Sequence, residues 1–156
     1  MSNSSQALTG EEGIEIRTFG VTFPHNAPRP LIPPRDKGWD QLVYASRGVM
    51  SVRAELHEWL VIPHRALWVP AAVPYEIRLR GEVALRSLYF RRTRGRPAVL
   101  NHCAALNITP LFRELALRAA AIGALDRNNP EHRSLIALTR DELRRLTRVS
   151  LQLPAP

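Results

Sequence analysis

The side chains able to do chemistry in this chain of 156 residues are few and scattered. Its histidines, His25, His57, His64, His102 and His132, stand at unrelated spacings, whereas a metal site needs imidazole, thiolate or carboxylate donors that converge on one ion. His64 falls in a turn between apolar runs, an ordinary place for a solvated histidine. The single cysteine, Cys103, cannot form an internal disulfide. Beside His102 it reads as a buried structural thiol before it reads as a metal or redox pair. No nucleophile stands in a legible arrangement with a base. The residues therefore support no catalytic group, no metal ligand and no cofactor site, and what they can offer is recognition.

Recognition needs a frame, and the stretch from Arg35 to Tyr75 supplies it. Short apolar or alternating runs (41–46, 49–55, 59–62 and 66–69, with another opening at Tyr75) are rich in Val, Leu, Tyr and Trp and are separated by turn residues such as Arg47-Gly48. Such runs predict antiparallel strands in a small sandwich or barrel. Trp59 and Trp68 lie inside these runs and are expected in the core.

The spacing in this stretch resembles the cupin fold. The first cupin motif carries His-x-His, three or four residues, Glu, six residues and Gly; here Arg35-x-Lys37 is followed by three residues, Gln41, six residues and Gly48. The second carries Pro-x-Gly-x-x-His; here it is Pro70-Ala71-Ala72-Val73-Pro74-Tyr75. The segments QLVYASRGVMSV and RALWVPAAVPYEIRLRGEVALRSLYF resemble the amino-terminal sensory domain of AraC-type transcription regulators. The resemblance implies a mainly β, cupin-like (jelly-roll) barrel followed by two carboxy-terminal helices. It also implies an effector-sensing and dimerisation role, with DNA bound through a separate helix-turn-helix domain. The four positions where a metal-binding cupin places its ligands carry Arg35, Lys37, Gln41 and Tyr75. In the cupin register these would line a metal-free pocket for an anionic or polyhydroxylated molecule, Arg35 gripping a carboxylate and Trp39 stacking on an apolar or sugar face. Alternatively, Arg35 and Lys37 reach solvent or pair with Asp36 and Asp40, leaving a packed barrel. A stand-alone cupin enzyme of the dioxygenase or isomerase type is the competing class, disfavoured by the four replacements.

Length and composition fit one globular domain, with 45% hydrophobic and 23% charged residues. No apolar run approaches a membrane span, and the polar start lacks a secretory apolar segment, so a cytoplasmic bacterial protein is expected. The net charge of +8 comes from arginines spread along the chain, with Lys37 the only lysine; this reads as compositional bias rather than a phosphate track. The densest cluster, residues 91–96, has turn character and reads as a solvated loop.

Taken in order, residues 1–13 are expected to be flexible, 14–108 to form the barrel, and 109–156 to form a helical dimerisation segment ending at a linker. A strand is expected over 12–21. The proline-rich stretch 23–34 reads as an arm over the pocket or as a plain connection. Two strands, 75–80 and 83–90, follow across Gly81, and at least one more lies in 98–108. Both faces of 83–90 are similarly apolar, so its orientation is open. Thr109-Pro110 and Asn129-Pro130 are helix starts and Gly123 a helix stop. Leu135, Leu138, Leu143 and Leu146 on the second helix exceed what a lone surface helix needs. Some should face the barrel and the rest form a homodimer seam. The closing Leu151-Gln152-Leu153-Pro154 resembles the junction that leads, in AraC-type regulators, into the DNA-binding domain.

Overall fold

Two long strands that belong to two layers at once hold the molecule together. The computed structural model describes residues 12–24, 38–92 and 100–149 and the backbone of 152–154. Arg35, Lys37, residues 25–34 of the proline-rich stretch, the first eleven residues and most of the 91–96 cluster lie outside them. The described strands are β1 (Ile14–Phe23), β2 (Trp39–Ala54), β3 (His57–Val61), β4 (Arg65–Val69), β5 (Glu76–Arg91), β6 (Ala104–Asn107), β7 (Ala124–Asp126), β8 (Arg148–Val149) and β9 (Gln152–Pro154). The helices are α1 (Pro110–Ile122) and α2 (Pro130–Arg145). Among the described residues the strands pair antiparallel throughout.

The expected separation of residues 41–46 from 49–55, and of 75–80 from 83–90, is corrected. Each pair forms one continuous strand of 16 residues. Gly48 and Gly81, at φ 89° and 78°, bend the strands without ending them, and the β2–β5 register shifts on either side of Arg47. Left-handed dihedrals, easily reached by glycine, make such corners. The amino-terminal half of β2 and the carboxy-terminal half of β5 sit in a large sheet of order β7-β1-β5-β2-β4-β6-β8. Their other halves pair with each other and, through β2, with β3 and β9 in the opposite layer.

Between the layers lies one apolar core, with Val43, Val52, Trp59, Val69, Ile77 and Leu85 among its members. A second lies on the outer face of the large sheet, where Ile16, Leu42, Trp68, Leu88 and Phe90 meet Phe112, Ala116 and Ala119 of α1 and Ile136 and Leu143 of α2. Residues 83–90 look apolar on both faces because both are buried, Val83 and Leu85 inside and Leu88 and Phe90 beneath the helices. Trp59 and Trp68 are core residues, as expected.

The helices begin and end where the sequence signals them. The Thr109 hydroxyl accepts from the Phe112 amide at 3.1 Å, the Asn129 side chain accepts from the Glu131 amide at 3.0 Å, and Gly123 closes α1 at φ 97°. Three short strands in the carboxy-terminal segment were not anticipated. β7 pairs with β1, β8 with β6 and β9 with β3, so the described part of the carboxy-terminal segment supplies strands to the sheets as well as helices.

Candidate ligand-binding site

Alternation along β2 turns Gln41, Val43 and Ala45 toward the space between the layers and Leu42 and Tyr44 toward the helices. Gln41 stands opposite Val69 on β4 and Tyr89 on β5. Tyr75 immediately precedes β5, and its hydroxyl donates to Oε1 of Gln41 in a short hydrogen bond. Both side chains are almost fully buried. Two of the predicted site residues, 34 positions apart in sequence, are thus brought together.

Several contacts hold this pair in place. Asp40, buried on β2, accepts from the Ala71 amide at 2.8 Å and from the Arg92 guanidinium at 3.0 Å. It fastens the turn of residues 70–74, the segment that delivers Tyr75, to the strand that carries Gln41. Burial pushes the Tyr75 phenol far above its ordinary range, and neighbouring Tyr89 and Cys103 add to the shift. Tyr75 therefore stays a neutral donor. With its oxygen engaged by Tyr75, the Gln41 amide keeps two N–H donors of its own.

Trp39, one step before Gln41 on the same side of β2, is buried, and the Arg91 guanidinium lies 4.6 Å from the centre of its ring. The ring proposed to stack on a ligand thus already carries a cation on one face. Arg35 and Lys37 lie outside the described residues. The sequence reading missed Ser87 and Tyr89, which share the inward face of β5 with Leu85; Ser87 is buried opposite Val43.

Cys103, also inside, is pushed up by burial and by the neighbouring Glu55 carboxylate, which keeps it a thiol. Its amide donates to Glu55 at 2.7 Å. Burial would raise Glu55, but hydrogen bonds from Cys103 and His102 outweigh it and hold the carboxyl below its ordinary value. Glu55 and Leu56 form the two-residue turn between β2 and β3, both at positive φ, so the contact pins a strained hairpin.

A metal fits this donor set poorly. A phenol held protonated and an amide whose oxygen is occupied are weak ligands. Among the described residues no three His, Cys, Asp or Glu side chains converge. What the pair can still offer is the two N–H groups of the Gln41 amide.

The predicted dimer seam is corrected in part. Leu143 and Leu146 are buried in the core beneath the helices with Phe112 and Leu125, because Ile136, Thr139 and Leu143 form the inward stripe of α2. Leu135 packs against the edge of that core, and Leu138 is 43% exposed. Leu135 and Leu138 share an open groove of about 370 Å³ with Ile122 and Arg118 of α1.

No family model matches the chain. It is similar to the HTH-type transcriptional regulator NimR of Escherichia coli (strain K12), 31% identical over 114 residues, or 73% of this chain and 41% of the regulator. The chain thus spans about two fifths of the length of that relative. The structure of fatty acid-bound ToxT from Vibrio cholerae aligns with 87% of this chain and 55% of that one, with a TM-score of 0.54 and 5% identity. At that identity the likeness is one of fold. A cupin 2 domain-containing protein from Halorhodospira halophila aligns over 63% of the chain at 17% identity, with a TM-score of 0.40. The fold is mainly antiparallel β, cupin-like, with two helices near its carboxy-terminal end, and the curated relative is a transcription regulator. Among the described residues no helix is long and apolar enough to cross a membrane.

Proposed function

We propose that this chain is the effector-sensing and dimerisation part of an AraC-type transcription regulator, binding a small anionic or polyhydroxylated molecule between its two layers without a metal. One observation carries the reading. At two of the positions where a metal-binding cupin would place its ligands, Gln41 and Tyr75 form a neutral, buried hydrogen-bonded pair. Arg35 and Lys37, two cations at the remaining motif positions, would supply the charge that recognises a carboxylate. The similarity to a transcription regulator supports the regulatory role, and DNA would be bound by a helix-turn-helix domain in the whole protein. Self-association would use the outer face of α2 around Leu135 and Leu138 with Ile122 of α1. The same four replacements argue against a dioxygenase or isomerase, and a cytoplasmic location follows from the regulatory role.

A thermal-shift screen of small carboxylates and sugars tests the reading. A true effector at about 100 times its Kd adds about 2.7 kcal/mol of stability. Arg35→Ala combined with Tyr75→Phe should abolish the response. A variant that loses stability yet keeps the full response would show these side chains to be structural.

A further inference from the structure

A second cavity, of about 410 Å³, lies on the opposite side of the large sheet from the Gln41–Tyr75 pair, under the flank of α1. Its floor is one row of the antiparallel ladder. Gly20 of β1 stands opposite Arg86 of β5, which stands opposite Tyr44 of β2. The adjacent row, Thr18, Leu88 and Leu42, runs through the helix-covered core. One step further along the strands the apolar side chains give way to a guanidinium, a phenol and a missing side chain. Gly20 makes room for Arg86, since a Cβ there would come within 3.2 Å of the arginine Cδ. The roof is apolar, formed by Ala116, Leu117 and Ala120. Both the amide and the hydroxyl of Thr18 donate to the Gly123 carbonyl, at 3.0 and 3.1 Å, which fastens the end of α1 to β1 beside the cavity.

The polar groups of this floor are not used up by the fold. Arg86 donates one N–H to the neighbouring Leu85 carbonyl at 2.7 Å, and no carboxylate pairs with it among the described residues. The Tyr44 hydroxyl has no hydrogen-bond partner among them. Burial pushes the Tyr44 phenol up, and the positive charges of Arg86 and Arg113 partly offset that, so both guanidiniums act at the phenol. Positive potential, two directional donors and an apolar roof therefore meet in a space of the size that small-molecule sites occupy. A carboxylate would satisfy both donors at once.

We propose that this cavity binds a small monocarboxylate with a compact apolar body, its carboxylate held by Arg86 and Tyr44 and its body against Ala116, Leu117 and Ala120. It is a site separate from the one between the layers, and it stands or falls independently of the effector reading.

Benzoate, with benzamide as its uncharged counterpart, is the probe. In amide-resolved NMR titrations of the whole chain, benzoate should shift Gly20, Arg86, Ala116 and Ala120 saturably, with benzamide at least tenfold weaker. Arg86→Gln should weaken benzoate at least tenfold, and Tyr44→Phe severalfold. Ala120→Leu, at an exposed helical position, should fill the roof and abolish binding without touching the core. Equal titration by benzamide, shifts centred on Gln41 and Tyr89, or unchanged binding in a folded Ala120→Leu protein would each overturn the assignment.

Discussion

The space between the two layers and the space beneath the helices are walled by the same stretches of β2 and β5, yet they hold different chemistry. Beneath the helices the interlocking side chains are almost all apolar, with the Trp68 and Phe90 rings tilted at 45° and 6.0 Å apart, Phe112 fully enclosed, and Thr139 of α2 the polar exception. Between the layers, Gln41, Ser87, Tyr75 and Cys103 interrupt the aliphatic packing. Burying polar groups costs free energy unless they are hydrogen-bonded, and a region built for stability alone has little use for them. The contrast separates the region that holds the helices on from the region where the proposed effector would bind.

Substitutions can sharpen that contrast, and the largest effect belongs under the helices. Phe112→Ala should cost about 3–5 kcal/mol, and Leu143→Ala about 2–5 kcal/mol, read from urea denaturation followed by circular dichroism. A loss below about 1 kcal/mol for Phe112→Ala would mean that α1 is not anchored there.

The inner region should respond less and differently. Tyr75→Phe leaves the buried Gln41 oxygen without its partner, at a cost of about 1–3 kcal/mol. Adding Gln41→Leu should recover part of that loss, and a coupling of zero in the double-mutant cycle would deny the hydrogen bond. Tyr75 is raised in the folded state, which keeps the phenolic proton at pH values where the unfolded chain, with an ordinary value of 10.0, has lost it. Its contribution is complete below pH 10.0 and shrinks as pH rises beyond it. Cys103, raised from 9.0, acts in the same direction. Stability should therefore fall from about pH 9 upward, and Tyr75→Phe should flatten the part of the decline above pH 10.

The smallest effect on folding belongs to the exposed face of α2. Leu138→Glu should change monomer stability by no more than about 0.5 kcal/mol while shifting light scattering toward the monomer. An unchanged association state would place the seam elsewhere.

What could be foreseen from sequence followed physical type. Helix boundaries were legible because Thr109, Asn129 and Gly123 each perform a local job visible in one residue and its neighbours. The long strands were not, because Gly48 carries the same signal whether a chain turns back or merely bends; only the partner strand decides. The β7 strand is three residues long and has no period to detect. The leucine stripe could not be divided, since Leu138 and Leu143 differ by the angle of one helix against a sheet that helical periodicity does not specify. Gln41 and Tyr75 came from motif spacing. Tyr89 and Ser87 were missed because the orientation of their strand depends on which face the helices cover.

The corner at Gly48 has a mechanical consequence. A Cβ there would collide with the Glu82 carbonyl oxygen, so the two backbones touch where both strands cross from one layer to the other. Two layers joined by unbroken covalent chain through such a contact cannot swing apart like the halves of a hinged shell. Opening them would require breaking the ladder on both sides of the bend. The Gln41–Tyr75 hydrogen bond thereby sits between walls that the bend keeps together.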